Sequence, residues 1–203
     1  ESNTLNRRWL EEFGGLLGLR VSDLIDTEGL TRQNLIPYFY PEDKELSRVG
    51  VTGLFLGHYV PWDGLSNVLV AQAFGFETPP SPTLGSMVNY ENLDNYQVAI
   101  HEYFKYLKFG FGRATDHACL HIRRGRLTRE MGLSIVKRLD GKFPIEYLGK
   151  NLKDTLKPLD MTVEEFVKIC DKFTNKKIFK RNSSGALIKD RDGNLSKVND
   201  DNV

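Results

Sequence analysis

Apolar side chains recur at helical spacing over several stretches of the chain. Leu5, Trp9, Leu10, Phe13, Leu16 and Leu17 repeat near every 3.6 positions and predict an opening amphipathic helix, with Ser2 and Asn3 as cap residues and Gly18 as a stop. Residues 42–49 predict a short surface helix ending at Gly50, and the apolar run Val51 to Leu56, bounded by glycines, predicts a buried strand. After Gly57-His58-Tyr59-Val60-Pro61-Trp62-Asp63-Gly64, residues Leu65 to Phe74 predict a helix ended by Gly75. A strand, a polar and aromatic loop, then a helix is the order in which α/β proteins place ligands.

Pro79, Pro80 and Pro82 mark residues 76–95 as a loop, which either covers a site or joins elements. From Tyr96 the helical pattern resumes, with Ala99, Ile100, Tyr103, Phe104 and Leu107 on one face. The loop Phe109-Gly110-Phe111-Gly112 separates it from a predicted helix over Arg113 to Arg123, broken at Gly125. Thr128 then starts a helix whose apolar face is Met131, Ile135, Val136 and Leu139. Thr162 and Glu165 form a capping box ahead of Phe166, Val167, Cys170 and Phe173, which predicts a helix over 162–174 with Cys170 in the core. An Asp192-Gly193 turn between Ala186-Leu187-Ile188 and Leu195-Ser196-Lys197-Val198 predicts a hairpin or a frayed end.

With 203 residues, 40% of them hydrophobic and 27% charged, the composition is that of a globular protein with one real core. The domain reading is one main body over 1–182 and a polar tail or hairpin over 183–203. No apolar run approaches the roughly 18 residues of a membrane span. Cys119 and Cys170 stand 51 positions apart, which excludes a disulfide framework and a paired-cysteine zinc site and reads as a cytoplasmic protein. The chain starts at Glu1 with no basic and apolar leader, as a fragment or processed chain would.

Charge is polarised within this ordinary average. Between Lys105 and Lys142 ten basic side chains face three acidic ones, a net of +7 in a chain of +1, so the remainder carries −6. Clustered guanidinium groups repel unless phosphates or carboxylates neutralise them, so the centre calls for an anionic partner or forms a solvated basic face. The glycine loop before Arg113 aims a helix N-terminus, with its free N–H groups, at such an anion. There Asp116 and His117 are acid/base, ribose or magnesium groups, or else Thr115 and Asp116 simply cap the helix. Arg123-Arg124-Gly125-Arg126 lets guanidiniums converge around a turn, or is an exposed turn. His58, Tyr59, Trp62 and Asp63 combine an imidazole, two aromatic platforms and a carboxylate, suited to stacking a sugar or base or simply to packing. His101 and His121 read as structural.

Three strings carry a resemblance. Leu56-Gly57-His58-Tyr59-Val60-Pro61-Trp62-Asp63-Gly64, then Lys108-Phe109-Gly110-Phe111-Gly112-Arg113-Ala114-Thr115-Asp116-His117-Ala118, and Ile122-Arg123-Arg124-Gly125-Arg126-Leu127-Thr128-Arg129-Glu130 followed by Asp140-Gly141, resemble the bacterial N-acetyl sugar amidotransferases. That family makes acetamidino sugars for lipopolysaccharide O-antigen and flagellin glycans. The resemblance runs from about Arg8 to about Lys180. It implies a helix-rich α/β chain with few strands, the C-terminal part of a PP-loop (adenine nucleotide alpha hydrolase-like) ATP-pyrophosphatase fold. The Ser-Gly-Gly-x-Asp-Ser loop that holds ATP in that fold does not occur here, nor do the family's paired cysteines.

The chemistry the resemblance implies is ATP- and Mg2+-dependent amidation of an acetamido sugar with ammonia from a glutaminase partner, competent only with the missing nucleotide loop. It implies Lys108, Arg113, Arg123 and Arg126 as phosphate or carboxylate ligands, Asp116 as a magnesium ligand and His117 as a proton carrier. His58, Tyr59, Trp62 and Asp63 would position the sugar. Two alternatives stay open: a nucleic-acid-binding module stacking bases on Phe109, Phe111 and Trp62, and a non-catalytic assembly module.

Overall fold

The structure is a computed structural model and describes residues 3–13, 19–191 and 193–198; the expected cap Ser2, the positions Leu16, Leu17 and Gly18, and the turn residue Asp192 lie outside them. The chain divides into two units, residues 1–71 and 72–203. No helix among the described residues is long and apolar enough to cross a membrane.

In the first unit α1 spans Arg7–Phe13, and Asn6 rather than Asn3 caps it, its Oδ1 accepting from the Trp9 N–H at 2.9 Å. Asn3 instead donates from Nδ2 to the Tyr59 hydroxyl at 2.6 Å. Thr31 and Asn34 form a capping box over α2 (Arg32–Leu35). Helix α3 (Asp43–Val49) stops as expected at Gly50, whose φ of 75° is open to glycine without a Cβ penalty.

The buried strand expected over Val51 to Leu56 does not form. Val51, Leu54 and Leu56 are 61%, 56% and 63% exposed, a single antiparallel bridge joins Leu54 to Thr4, and Leu56–His58 is a 3-10 turn. An apolar run becomes a strand only where neighbours take its amides and cover its sides, and here one bridge is all the described residues supply. The strand-loop-helix crossover is therefore absent. Helix α4 (Gly64–Ala73) follows as expected, with Gly75 beyond its end at φ 93°.

In the second unit α5 (Val98–Phe109), α6 (Arg113–Arg123) and α7 (Arg129–Leu139) follow in order. Ala99, Tyr103 and Leu107 of the expected face of α5 are buried, joined by Tyr106. Helix α6 buries Ala114, His117, Ala118 and His121, a one-sided stripe at i, i+3, i+4 and i+7. Helix α7 starts at the Thr128 cap and packs on α6 through the buried Gly132, where a Cβ would meet Ile122 Cδ1 at 2.7 Å. Met131, expected on its apolar face, is 53% exposed, because α6 approaches α7 over Gly132 instead.

Strands β1 (Glu146–Tyr147) and β2 (Lys150–Asn151) pair antiparallel around Leu148 and Gly149, both at positive φ as a two-residue hairpin loop of the I′ kind needs. Helices α8 (Leu152–Leu156) and α9 (Val163–Phe173) follow, the latter with the expected Thr162–Glu165 capping box. The tail folds back through the antiparallel bridges Phe179↔Lys197, Arg181↔Leu187 and Lys189↔Leu195, which joins the two segments expected to form a hairpin.

The core gathers Tyr103, Tyr106 and Leu107 of α5, Leu152 and Leu156 of α8, Phe166 and Cys170 of α9, and Phe179 and Leu195 of the tail. Its aromatic contacts are edge-on or tilted, with Tyr103–Phe143 centroids at 5.5 Å and Tyr106–Phe179 at 5.3 Å. The architecture is helix-rich, with one two-stranded sheet among the described residues.

Candidate functional site

The site is built where the 76–95 loop meets α6. That loop is tied down: Asn89 Nδ2 donates to Thr78 Oγ1 at 3.2 Å and to the Pro79 carbonyl at 2.7 Å, and the Tyr147 hydroxyl donates to the Asn92 carbonyl at 3.0 Å. Between these ties Glu91 Oε2 accepts from Arg113 Nη2 at 2.5 Å and lies 2.9 Å from His117 Nε2. Arg113 and His117 stand four apart on α6, which puts both on one face and lets one carboxylate oxygen take both. Burial alone would raise the Glu91 pKa, but the hydrogen bonds from His117 and Arg113 outweigh it, so the carboxyl sits below its ordinary value. On the far side of the ring, His117 Nδ1 lies 3.5 Å from Ser86 Oγ.

The helix N-terminus expected to receive an anion already has one. Asp140, which ends α7, accepts from the Gly112 N–H at 2.8 Å, the Ala114 N–H at 3.1 Å and the Thr115 hydroxyl at 2.5 Å. A side-chain carboxylate thus meets the positive end of α6 where a phosphate was expected. Gly112 is needed for this approach, since a Cβ there would lie 2.8 Å from Asp140 Oδ1.

The other expected residues are spread out. Asp116 pairs with the Lys105 ammonium, which takes the place a cation would need, and among the described residues no three His, Cys, Asp or Glu side chains converge to hold a metal. Lys108 stacks its ammonium 5.4 Å above the Phe173 ring. Arg123 closes the helix that Arg113 opens, so ten residues at 1.5 Å each set them roughly 15 Å apart, and Arg126 is exposed in the turn beyond. The four basic groups therefore do not converge on one phosphate.

In the first unit His58 and Tyr59 are exposed, and Trp62 is 72% exposed. Asp63 is buried as the cap of α4, its Oδ2 accepting from the Ser66 N–H at 3.2 Å and hydroxyl at 2.7 Å.

A family model described as LPS biosynthesis protein WbpG-like, C-terminal domain, matches residues 85–191, just over half of the chain. The chain belongs to this family. The WbpG-like domain contains Ser86, Glu91, Arg113, Asp116, His117 and Asp140, so the whole cluster lies inside the matched span. Membership places the chain in lipopolysaccharide biosynthesis and agrees with the resemblance carried by its central strings. No curated protein matches the chain.

Sequence reasoning missed Glu91, Ser86 and Asp140 as members of the WbpG-like site. One signal for Glu91 was available: it is the only charged residue between Glu77 and Asp94. Asp140 was visible as one of three negative charges in a basic stretch and in the Asp140-Gly141 pair of the resemblance, but nothing local shows that a helix end reaches the start of the preceding helix.

Proposed function

We propose that the chain is the sugar-handling C-terminal part of an ATP-dependent N-acetyl sugar amidotransferase, which converts an acetamido group to an acetamidino group in surface-glycan synthesis. The observation that supports this reading is the WbpG-like match, which spans the Glu91–Arg113–His117 cluster. An amide oxygen is a poor leaving group, so it is activated by attacking the α-phosphorus of ATP, the new oxygen–phosphorus bond forming as the bond to pyrophosphate breaks. Ammonia from a glutaminase partner then gives its lone pair to the activated carbon, the carbon–oxygen bond breaks with its electrons on AMP, and the surplus proton stays on the basic amidine or passes to water.

Since Asp140 occupies the positive end of α6 and Lys105 pairs with Asp116, this reading assigns ATP and Mg2+ to a Ser-Gly-Gly half beyond this chain. The chain's own share is the sugar and the nitrogen. Arg113, His117 and Glu91 form the polar group at the reacting end.

The test joins this chain to such a half and supplies ATP, Mg2+, ammonia or glutamine with its glutaminase, and an acetamido sugar nucleotide. Sugar-dependent AMP formation is expected, with a product in which NH has replaced O by mass. No AMP from any acetamido sugar sinks the proposal.

A further inference from the structure

Within the cluster the Arg113 and Glu91 side chains are 30% and 31% exposed, and His117 is buried. Both His117 nitrogens are engaged inside the protein, Nε2 by Glu91 and Nδ1 by the long contact to Ser86, and the residue is 6% exposed. The Ser86 hydroxyl donates to the Val88 carbonyl at 3.0 Å and accepts from the Val88 N–H at 3.0 Å, so it has a lone pair and no second proton for the ring. Glu91, by contrast, spends a single oxygen on its two partners. Oε2 takes Arg113 and His117, Oε1 takes none of the described contacts, and the side chain is 31% exposed.

The charged groups that act on Glu91 itself are His117 and Arg113. Tyr147, anchored to the loop at Asn92, feels the charges of Glu102 and Asp94 as well as that of Arg113. Lys105 pairs with Asp116 and also lies 3.8 Å from Glu102 Oε2. Glu102 Oε2 and Arg113 Nε are buried without hydrogen-bond partners and belong to residues lining one cavity of about 20 Å3. An ionised carboxylate oxygen accepts from N–H.

We propose that Glu91, through Oε1, is the substrate-contacting residue of this cluster, and that it holds a nitrogen cation or its N–H, ammonium or amidinium, with His117 and Arg113 as its positioning residues. In chemical terms this deepens the amidotransferase reading and rests on it: positive charge develops on nitrogen as ammonia attacks, and the acetamidino product is a planar N–H cation. A carboxylate fixed by two donors before the reaction stabilises that charge without having to reorganise.

Two experiments separate the inference from the reading. In the first, the chain alone is titrated with acetamidinium chloride, and with acetamide as its neutral counterpart of the same shape, while the Glu91 carboxyl carbon and the His117 ring are followed by NMR. Saturable shifts with acetamidinium and none with acetamide are expected; Glu91→Gln abolishes them and Glu91→Asp, which keeps the charge, retains weaker binding. Equal shifts in Glu91→Gln, or none in the wild type, overturn the proposal.

In the second, the joined enzyme carrying Glu91→Gln loses about 100-fold in kcat/KM for ammonia, in the range found for removal of one preorganised electrostatic partner, with part of the loss recovered in Glu91→Asp. Wild-type turnover with an undiminished Glu91→Gln variant refutes the role of Glu91 and leaves the reading standing. A wild type that makes no AMP refutes the reading, and the acetamidinium titration still decides what Glu91 binds.

Discussion

Replacing Asp140 by alanine tests how the site is held together. Its carboxylate takes two backbone N–H groups, of Gly112 and Ala114, and the Thr115 hydroxyl, all at the start of the helix that carries Arg113 and His117. Loss of a helix cap costs typically ~1 kcal/mol, and hydrogen bonds to a charged group contribute about 1.5–3 kcal/mol each. Water reaches this half-buried position and recovers part of the loss, so Asp140→Ala should cost about 2–4 kcal/mol. For a chain of this size that lowers the melting temperature by roughly 10 °C.

Gly112→Ala alone places a Cβ 2.8 Å from Asp140 Oδ1 and 3.1 Å from Cγ, driving the carboxylate off at a cost of about 1–3 kcal/mol. With Asp140 already replaced there is nothing to displace. Urea denaturation of the four members of the cycle should therefore show a coupling of about 1 kcal/mol or more between the two sites. Additivity within about 0.3 kcal/mol, or an Asp140→Ala protein as stable as the wild type, would refute the account of Asp140 as the anion of this helix.

Gly141→Ala should fail to give a folded second unit, as judged by loss of near-ultraviolet circular dichroism: the residue has φ 77°, and its Cβ would lie 2.4 Å from two Tyr106 ring carbons. Acidification should expose the Glu91 contacts. Because the folded carboxyl lies below its ordinary value near 4.5, its contribution is present above that value and is lost as pH falls through the lower folded one. Urea midpoints of the wild type should thus drop more steeply below about pH 4.5 than those of Glu91→Gln, and parallel curves would count against the pairing. Burial, followed by the Asp171 charge, pushes the Cys170 thiol up to about 12, while Cys119 is exposed. Iodoacetamide at mildly alkaline pH should label Cys119 alone until the protein is denatured; early labelling of Cys170 would mean that the core over it opens.

Local signals in the chain were sufficient for what local physics controls. Gly50 at φ 75°, the Thr162–Glu165 box and the apolar spacing of Tyr103 and Leu107 each act within a turn or two of their own position, and the helices they delimit stand where the spacing puts them. The same holds for the strings around Gly112 and Arg124, whose family resemblance is carried by residue identity alone. Val51 to Leu56 shows the boundary of that reach. An apolar run specifies a strand only if a neighbour arrives to pair with it, and that is decided by the rest of the chain.

Arg113 and His117 were legible on their helix, but the partners that complete the site lie on the far side of that boundary. Basic residues within one window of sequence ended up at opposite ends of α6, because a helix converts ten positions into distance rather than convergence. The partners that count came from elsewhere, Asp140 from 26 to 28 positions away and Glu91 from 22 and 26 positions away, across turns whose closure no periodicity encodes. Composition announced positive charge in search of an anion; tertiary folding supplied the anions from within, and left one oxygen of Glu91 outside the described contacts.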